Sequence, residues 1–190
     1  MKKVFIIGFN RTATKAFSEM FKKGGYVSFH YACHDRKGNV AVLAQKMKEN
    51  LESYYNLLHD IDHANVYSDM FWHRENEWID GIKLYDKFNQ EYPDSYFILN
   101  TREMDGWLES KKNHKKGAYL KRSMEYHNLD EQGMLDWFKR DREKTEDDIR
   151  TYFQNYSKFI EFDVENDPIV NLIDFLKPDF FLKEKHWVRV

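Results

Sequence analysis

Arg11, Thr12, Thr14 and Lys15 crowd four side-chain donors, two of them cationic, into five consecutive positions near the start of the chain. Their setting says what such donors are for. Val4, Phe5, Ile6 and Ile7 form a short continuous apolar run, the pattern of a strand buried on both faces. Gly8 breaks it, and Phe9 to Ala13 make a tight loop. From Thr14 the chain reads as an amphipathic helix with Phe17, Met20 and Phe21 on one face. A strand, a short loop and a helix start bring loop N–H groups and the positive end of the helix dipole to one point, where an anion such as a phosphate is held.

A phosphate loop of the nucleoside-triphosphatase kind, G-x-x-x-x-G-K-[ST], does not fit these positions. Counted from Gly8, the second glycine falls on Ala13 and the lysine on Thr14. Lys15 comes one place late, and Ala16 stands where a magnesium-binding hydroxyl is needed. The later strand SYFILNTR also ends without a carboxylate for magnesium. A kinase-like phosphotransferase using a nucleoside triphosphate is the alternative that these mismatches argue against.

The elements that must position the loop follow from periodicity. YVSFH (26–30) reads as a second strand and ACHDRKGN (32–39) as a loop. Val40, Leu43, Ala44, Met47, Leu51, Tyr54 and Leu58 share a face of a helix over 40–59, and ANVYSD (64–69) is a short strand. Trp78, Ile82, Tyr85, Phe88 and Tyr92 space another helix, closed by Pro93. SYFILNT (95–101) is the clearest buried strand after the first, followed by a helix from near Met104 that includes Trp107. Residues 111–130 are basic and weakly patterned, and 131–155 read as a long charged helix. KFIEFDV (158–164) is a strand, DPIVNLIDFL (167–176) is a helix with Pro168 in its first turn, and the tail is irregular. Alternating strands and helices imply an α/β fold of one domain, 1–190: three layers, P-loop-like, with a mostly parallel central sheet flanked by helices. Ligands of such sheets gather at the carboxyl ends of the strands. Asn10 to Lys15, Ser68, Asp69, Thr101 and Arg102 all fall there.

Composition sets outer bounds. A net charge of -2 gives no global attraction to nucleic acid. The single cysteine, Cys33, excludes an internal disulfide, reads as an inert thiol and suits a reducing cytoplasm. MKKVFIIGF looks superficially like a signal peptide, but its apolar run is short and Arg11 and Lys15 follow at once, so a first strand is the better reading. No run approaches the length of a membrane span, which an anchored Golgi-type enzyme would need.

The loop GFNRTATKAF (8–17) resembles the 5′-phosphosulfate-binding loop of the sulfotransferases, which often reads G-x-P-R-[ST]-G-T-[ST]-x-[LF]. The family's second element is an Arg at the end of a later strand with a Ser eight residues on, and Arg102 and Ser110 in ILNTREMDGWLES have that spacing. The longer stretch EYPDSYFILNTREMDGWLES is similar to Y-P-x-x-x-F-I-L-x-x-R-[DE]-x-x-x-W-x-x-S of a compact subgroup, and DPIVNLIDFL to the family's late helix. The resemblance implies a sulfotransferase that uses 3′-phosphoadenosine-5′-phosphosulfate as donor and a hydroxyl or amine of a small molecule or carbohydrate as acceptor. It implies that Asn10, Arg11, Thr12, Ala13, Thr14, Lys15 and Ala16 hold the 5′-phosphosulfate, with Arg11 beside the leaving group, and that Arg102 and Ser110 hold the 3′-phosphate. No metal is expected, since arginine and lysine supply the positive charge. Ala13 departs from the usual glycine, Asn10 from proline and Lys15 from a hydroxyl residue. The family's C-terminal phosphate loop is not recognisable, and Lys183, Lys185 and Arg189 are substitutes only by composition. A protein of this fold that binds nucleotide without turnover is a further alternative.

Sulfuryl transfer calls for a general base to take the acceptor's proton. Asp69, at a strand end in YSDMFWH, is the first positional candidate, His73 the second, and His30 and His34 the third. Each has a plainer role to weigh: Asp69 and Thr14 as helix caps, Arg102 as a salt bridge to Glu103 or Asp105, and the histidines as ordinary structural residues. Lys111, Lys112, Lys115, Lys116, Lys121 and Arg122 form a basic patch that either attracts an anion or is a solvated face. Phe71, Trp72, Trp78 and Trp107 read mostly as core.

Overall fold

Val4–Ile6 forms strand β1, and its alternation decides the layering. Phe5 and Ile7 point into one apolar cluster, whereas Val4 and Ile6 point into another on the opposite face of the sheet. A strand covered on both faces must be apolar at every position, which is why the run is continuous. The structure, a computed structural model, describes residues 2–74 and 76–188.

Helix α1 (Thr14–Lys23) follows β1, then strands β2 (Ser28–His30), β3 (Ala32–His34) and β4 (Val40–Val42), and helix α2 (Leu43–Glu52). Strand β5 (Val66–Ser68) leads to a separate hairpin of β6 (Phe71–Arg74) and β7 (Glu77–Asp80), a 3₁₀ turn and helix α3 (Tyr85–Glu91). Next come β8 (Tyr96–Thr101), α4 (Met104–Asn113), α5 (Ala118–His127), α6 (Glu131–Phe153), β9 (Phe159–Asp163) and α7 (Ile169–Phe175). The main sheet has seven strands in the order β4-β3-β2-β5-β1-β8-β9. The five from β2 to β9 are parallel, and β3 and β4 add an antiparallel edge. One face carries α1 and α7; the other carries Phe88 of α3, Trp107 of α4, Phe138 and Phe153 of α6 and their neighbours. This is the three-layer, mostly parallel α/β fold that the strand–helix alternation predicts. Among the described residues no helix is long and apolar enough to cross a membrane.

Several local expectations are corrected. The stretch 32–39 is not a loop but β3 and the turn into β4, closed by Asp35, whose carboxylate accepts from the N–H groups of Lys37 and Asn39. The helix expected over 40–59 spans only Leu43–Glu52, because Val40–Val42 pairs with β3. Trp78 belongs to β7 rather than to a helix. It sits opposite His73 in the hairpin register and stacks on that ring, with centroids 3.6 Å apart, so its helical spacing with Ile82 is coincidental. The weakly patterned stretch 111–130 holds the end of α4 and all of α5.

The opening loop is held by one side chain from the neighbouring strand. Asn100, fully buried on β8, accepts from the Gly8 N–H at 2.8 Å and donates to both the carbonyl and the hydroxyl of Thr12 at 2.6 Å. The Thr12 hydroxyl in turn donates to the Phe9 carbonyl. Gly8 is required here by proximity: a Cβ would lie 2.0 Å from the Asn100 carbonyl oxygen. Asn100→Leu strands several buried polar groups at about 1–3 kcal/mol each. A loss of a few kcal/mol is expected in urea denaturation; a loss under about 1 kcal/mol would show that the loop is held by other contacts.

Candidate active site

Arg11 and Ala13 both take left-handed backbone conformations, with φ of 72° and 60°. Such alternation turns successive N–H groups toward one side, a concavity suited to an anion. The N–H groups of Arg11, Ala13, Thr14 and Lys15 find no acceptor among the described residues, whereas the Ala16 N–H donates to the Ala13 carbonyl. The run of free main-chain donors therefore ends at Lys15, and Ala16 contributes only as part of the helix start. Ala13, not Thr14, caps α1, and it makes no side-chain cap bond. Thr14 is thus freed from capping and lines the cleft. The hydroxyl of Thr12 is committed to Asn100 and Phe9 beneath the loop, and the residue is fully buried and does not line the cleft, so the expectation of a side-chain donor there is corrected.

The loop opens onto a cleft of about 640 Å³ lined by Asn10, Arg11, Ala13, Thr14 and Lys15. Arg102, Val164 and Glu165 approach from the ends of β8 and β9, and His30, Tyr31, Asp69, Phe71, His73 and Arg74 from the other side of β1. Arg102 is brought against the opening loop: one guanidinium nitrogen contacts the Arg11 carbonyl at 3.4 Å, and another donates to Glu165 at 2.7 Å. Its Nε is buried without a hydrogen-bond partner. Glu103 does not pair with it; its carboxylate caps α4 by accepting from the N–H groups of Asp105 and Gly106. Ser110, one turn before the end of α4, accepts from Arg11 Nε at 3.0 Å, which places this hydroxyl on Arg11 rather than on the cleft wall.

Two further contacts fix this end of the site. The Trp107 indole donates to the Asn10 carbonyl at 2.9 Å, and the buried Arg142 of α6 donates to the Arg102 carbonyl at 2.7 Å while stacking over Trp107. Asn100 and Arg142 carry no local sequence signal of this work, since each acts through a contact many residues away. Lys183 and Lys185 do not line the cleft, and Arg189 lies outside the described residues.

Asp69 follows β5 with φ of 53° and is followed by the β6–β7 hairpin, so there is no helix for it to cap. Burial pushes its carboxyl up to about 6, against the opposing pull of Lys111, Arg11 and Lys115. His30 lies 3.7 Å from it, is held by Ser68 at 3.1 Å, and is driven down to about 4 by burial. His34 ends β3, the strand inside the edge strand β4, and does not line the cleft. His73 is committed at both nitrogens: Nε2 lies 2.6 Å from the Asp80 carboxylate and Nδ1 lies 2.8 Å from the Tyr119 hydroxyl. Burial lowers its pKa despite the Asp80 bond, so the ring is neutral, with Nε2–H donating to Asp80 and Nδ1 accepting from Tyr119.

Lys111 completes this chain and overturns its place in a solvated patch. It is 2% exposed, donates to Tyr119 at 3.2 Å and lies about 5 Å from the ring centroids of Trp107, Tyr119 and Phe138. Only Lys115 and Arg122 of the basic set line the cleft. Of the aromatic set, Trp72 and Trp107 are core, Phe71 also faces the cleft, and Trp78 is half-buried on the hairpin. Cys33 is a buried thiol pushed up to about 11, as an inert residue should be.

A family model for the sulfotransferase domain matches residues 3–171 of this chain. The chain belongs to the sulfotransferase domain family. No curated protein matches it. Membership in the sulfotransferase family assigns it to the transferases and agrees with the P-loop-like fold.

Burial drives the Lys111 ammonium down to about 7 from an ordinary 10.5. Between those values the unfolded chain holds a proton that the folded chain has released, so this group makes stability rise with pH across the window. Lys111→Met is expected to remove that rise and to gain on the order of 1 kcal/mol at pH 7. Denaturation curves of both proteins from pH 7 to 10 read it directly; parallel pH profiles would place the charge elsewhere.

Proposed function

We propose that this sulfotransferase moves a sulfuryl group from 3′-phosphoadenosine-5′-phosphosulfate to a hydroxyl or amine acceptor. The observation that carries the reading is the convergence of two anion grips on one cleft. The unpaired main-chain N–H groups of Arg11, Ala13, Thr14 and Lys15 lie on one side, and Arg102, with an unpartnered buried Nε, lies on the other. A nucleotide with phosphates at both its 3′ and 5′ positions matches two such grips.

In this reading the N–H groups of Arg11, Ala13, Thr14 and Lys15 hold the 5′-phosphosulfate with the Thr14 and Lys15 side chains, and Arg102 holds the 3′-phosphate. Ser110 positions Arg11 through the Nε bond, keeping its remaining N–H groups turned toward the leaving phosphate. Asp69 takes the acceptor's proton. The acceptor oxygen or nitrogen forms a bond to sulfur as the bond from sulfur to the 5′-phosphate oxygen breaks, and Arg11 and Lys15 balance the charge that grows on that phosphate. Asp69 suits the base role better than His73, whose lone pair is already spent on Tyr119. A carboxylate lifted to about 6 is a stronger base than an ordinary one and is still ionised at neutral pH. The lone cysteine is compatible with a cytoplasmic location.

Calorimetry with adenosine 3′,5′-bisphosphate tests the donor site. Loss of one or more charge-assisted bonds at about 1.5–3 kcal/mol each predicts binding weakened about 10- to 150-fold in Arg102→Ala. No binding by the wild type, or unchanged affinity in the variant, sinks the reading. For the base, Asp69→Asn is expected to lower kcat by about 10²–10⁴ while leaving bisphosphate affinity intact. The wild-type rate should fall as pH drops through about 6, where Asp69 gains its proton. A rate that stays flat down to pH 5 would remove Asp69 from the role.

A further inference from the structure

The cleft has a second charged wall that donor binding leaves unused. The sheet order places Arg102 and Glu165, after β8 and β9, on one side of the opening loop, and Asp69, after β5, on the other. The connection from α4 to α5 covers the Asp69 side, because Tyr119 is bonded to His73 of the hairpin. That connection brings His114 and Lys115 to the cleft, α5 adds Arg122 and the hairpin adds Arg74. Lys115, Arg122 and Arg74 make no ion pair among the described residues, and Arg122 Nε is buried without a partner. His114 reports the local field: burial lowers it to about 4, and Arg11, Lys115, Lys111 and Arg122 all push in the same direction.

The carboxylates nearby do not neutralise this wall. Asp69 is the proposed base, and Asp80 is buried against His73 and Lys83. Glu77 is bonded to Lys48 at 2.5 Å, and Glu165 to Arg102. Arg74, Arg122 and His73 also line an adjoining hollow of about 290 Å³, which Trp78 and Tyr126 wall with aromatic surface and where Glu77 and Glu125 add acid groups. In the reaction cleft itself Arg11, Lys15, Arg74, Arg102, Lys115 and Arg122 outnumber the carboxylates of Asp69 and Glu165. An excess of cations at a concave site favours an anionic ligand.

We propose that the acceptor is an anionic hydroxyl compound, its carboxylate, phosphate or sulfate group held by Lys115 and Arg122 while its hydroxyl faces Asp69. The proposal rests on the sulfotransferase reading and names the substrate class of the same site. An acid group on the acceptor fixes which hydroxyl reaches Asp69, so charge sets regiochemistry as well as affinity.

Two matched pairs test it: p-nitrophenyl β-D-glucuronide against the glucoside, and 4-hydroxyphenylacetate against its amide. Binding of each is measured by calorimetry with and without adenosine 3′,5′-bisphosphate, on the wild type, Lys115→Ala and Arg122→Ala. At least one acidic member is expected to bind about tenfold or more tighter than its neutral partner, and the pair that shows it separates a sugar from a phenol acceptor. Either variant should cut that preference several-fold while bisphosphate affinity stays within twofold. Equal binding within both pairs, or no binding of either acid, overturns the proposal. So does loss of bisphosphate affinity in the variants, which would assign these cations to the donor. Failure of the wild type to bind the bisphosphate sinks the sulfotransferase reading by a separate measurement. Lys115 is exposed, so its variant keeps the test sound if Arg122→Ala folds poorly.

Discussion

The hydrogen bonds of Asn100 are the constraint from which the site is built. One amide, placed on β8 by the sheet register, ties the end of β1 to the turn that follows it. With the Gly8 N–H and both oxygens of Thr12 occupied from beneath, the loop is fixed in the conformation that leaves the N–H groups of Arg11, Ala13, Thr14 and Lys15 without protein partners. Satisfied polar groups below and free donors above are what the proposed anion site needs. Ala13 shows how strongly the loop is determined. It holds a left-handed conformation that a glycine would adopt more cheaply, with no side-chain cap to compensate, and the surrounding bonds impose it.

What the sequence discloses here divides by range. The apolar runs of β1, β8 and β9 and the long amphipathic α6 are visible because their patterns are written in consecutive residues, and so the parallel sheet and its loops are visible too. The hairpin of β6 and β7 is not, because Trp78 falls by chance at a helical interval from Ile82 while its partner is His73 across a turn. The edge strands β3 and β4 escape for a similar reason: three residues each is too short for a period to show. At the site, Arg102 and Ser110 are legible through their motif, but the motif does not say that Ser110 faces Arg11. Thr12 looks like a ligand donor by type, yet its hydroxyl is consumed by Asn100, a residue 88 positions away that has no local mark.

Charge shows the same limit. Six basic residues in close succession after Ser110 look like one surface feature, but the helix periods of α4 and α5 send them in different directions. Lys112 pairs with Glu131, Lys121 stays exposed, and Lys111 turns into a nest of aromatic rings. The ammonium there heads a line of hydrogen bonds through Tyr119 and His73 to Asp80, with every member satisfied and every ring packed. Such a line is stiff, and it anchors α5 to the hairpin across the cleft mouth. The wall that carries Lys115 and Arg122 is therefore rigidly mounted, although the two side chains at its rim are not.

Glu165 gives Arg102 a carboxylate partner at 2.7 Å before any nucleotide arrives. A phosphate that takes the guanidinium has to displace that carboxylate or share the cation with it, and the freed acid then stands close to the incoming negative charge. The guanidinium is thus never left bare, and its two states differ by an exchange of one anion for another rather than by filling an empty place. An exchange of this kind flattens the well on both sides. In the proposed reaction it would moderate capture of the fresh donor and give the spent nucleotide a built-in competitor that hastens its departure.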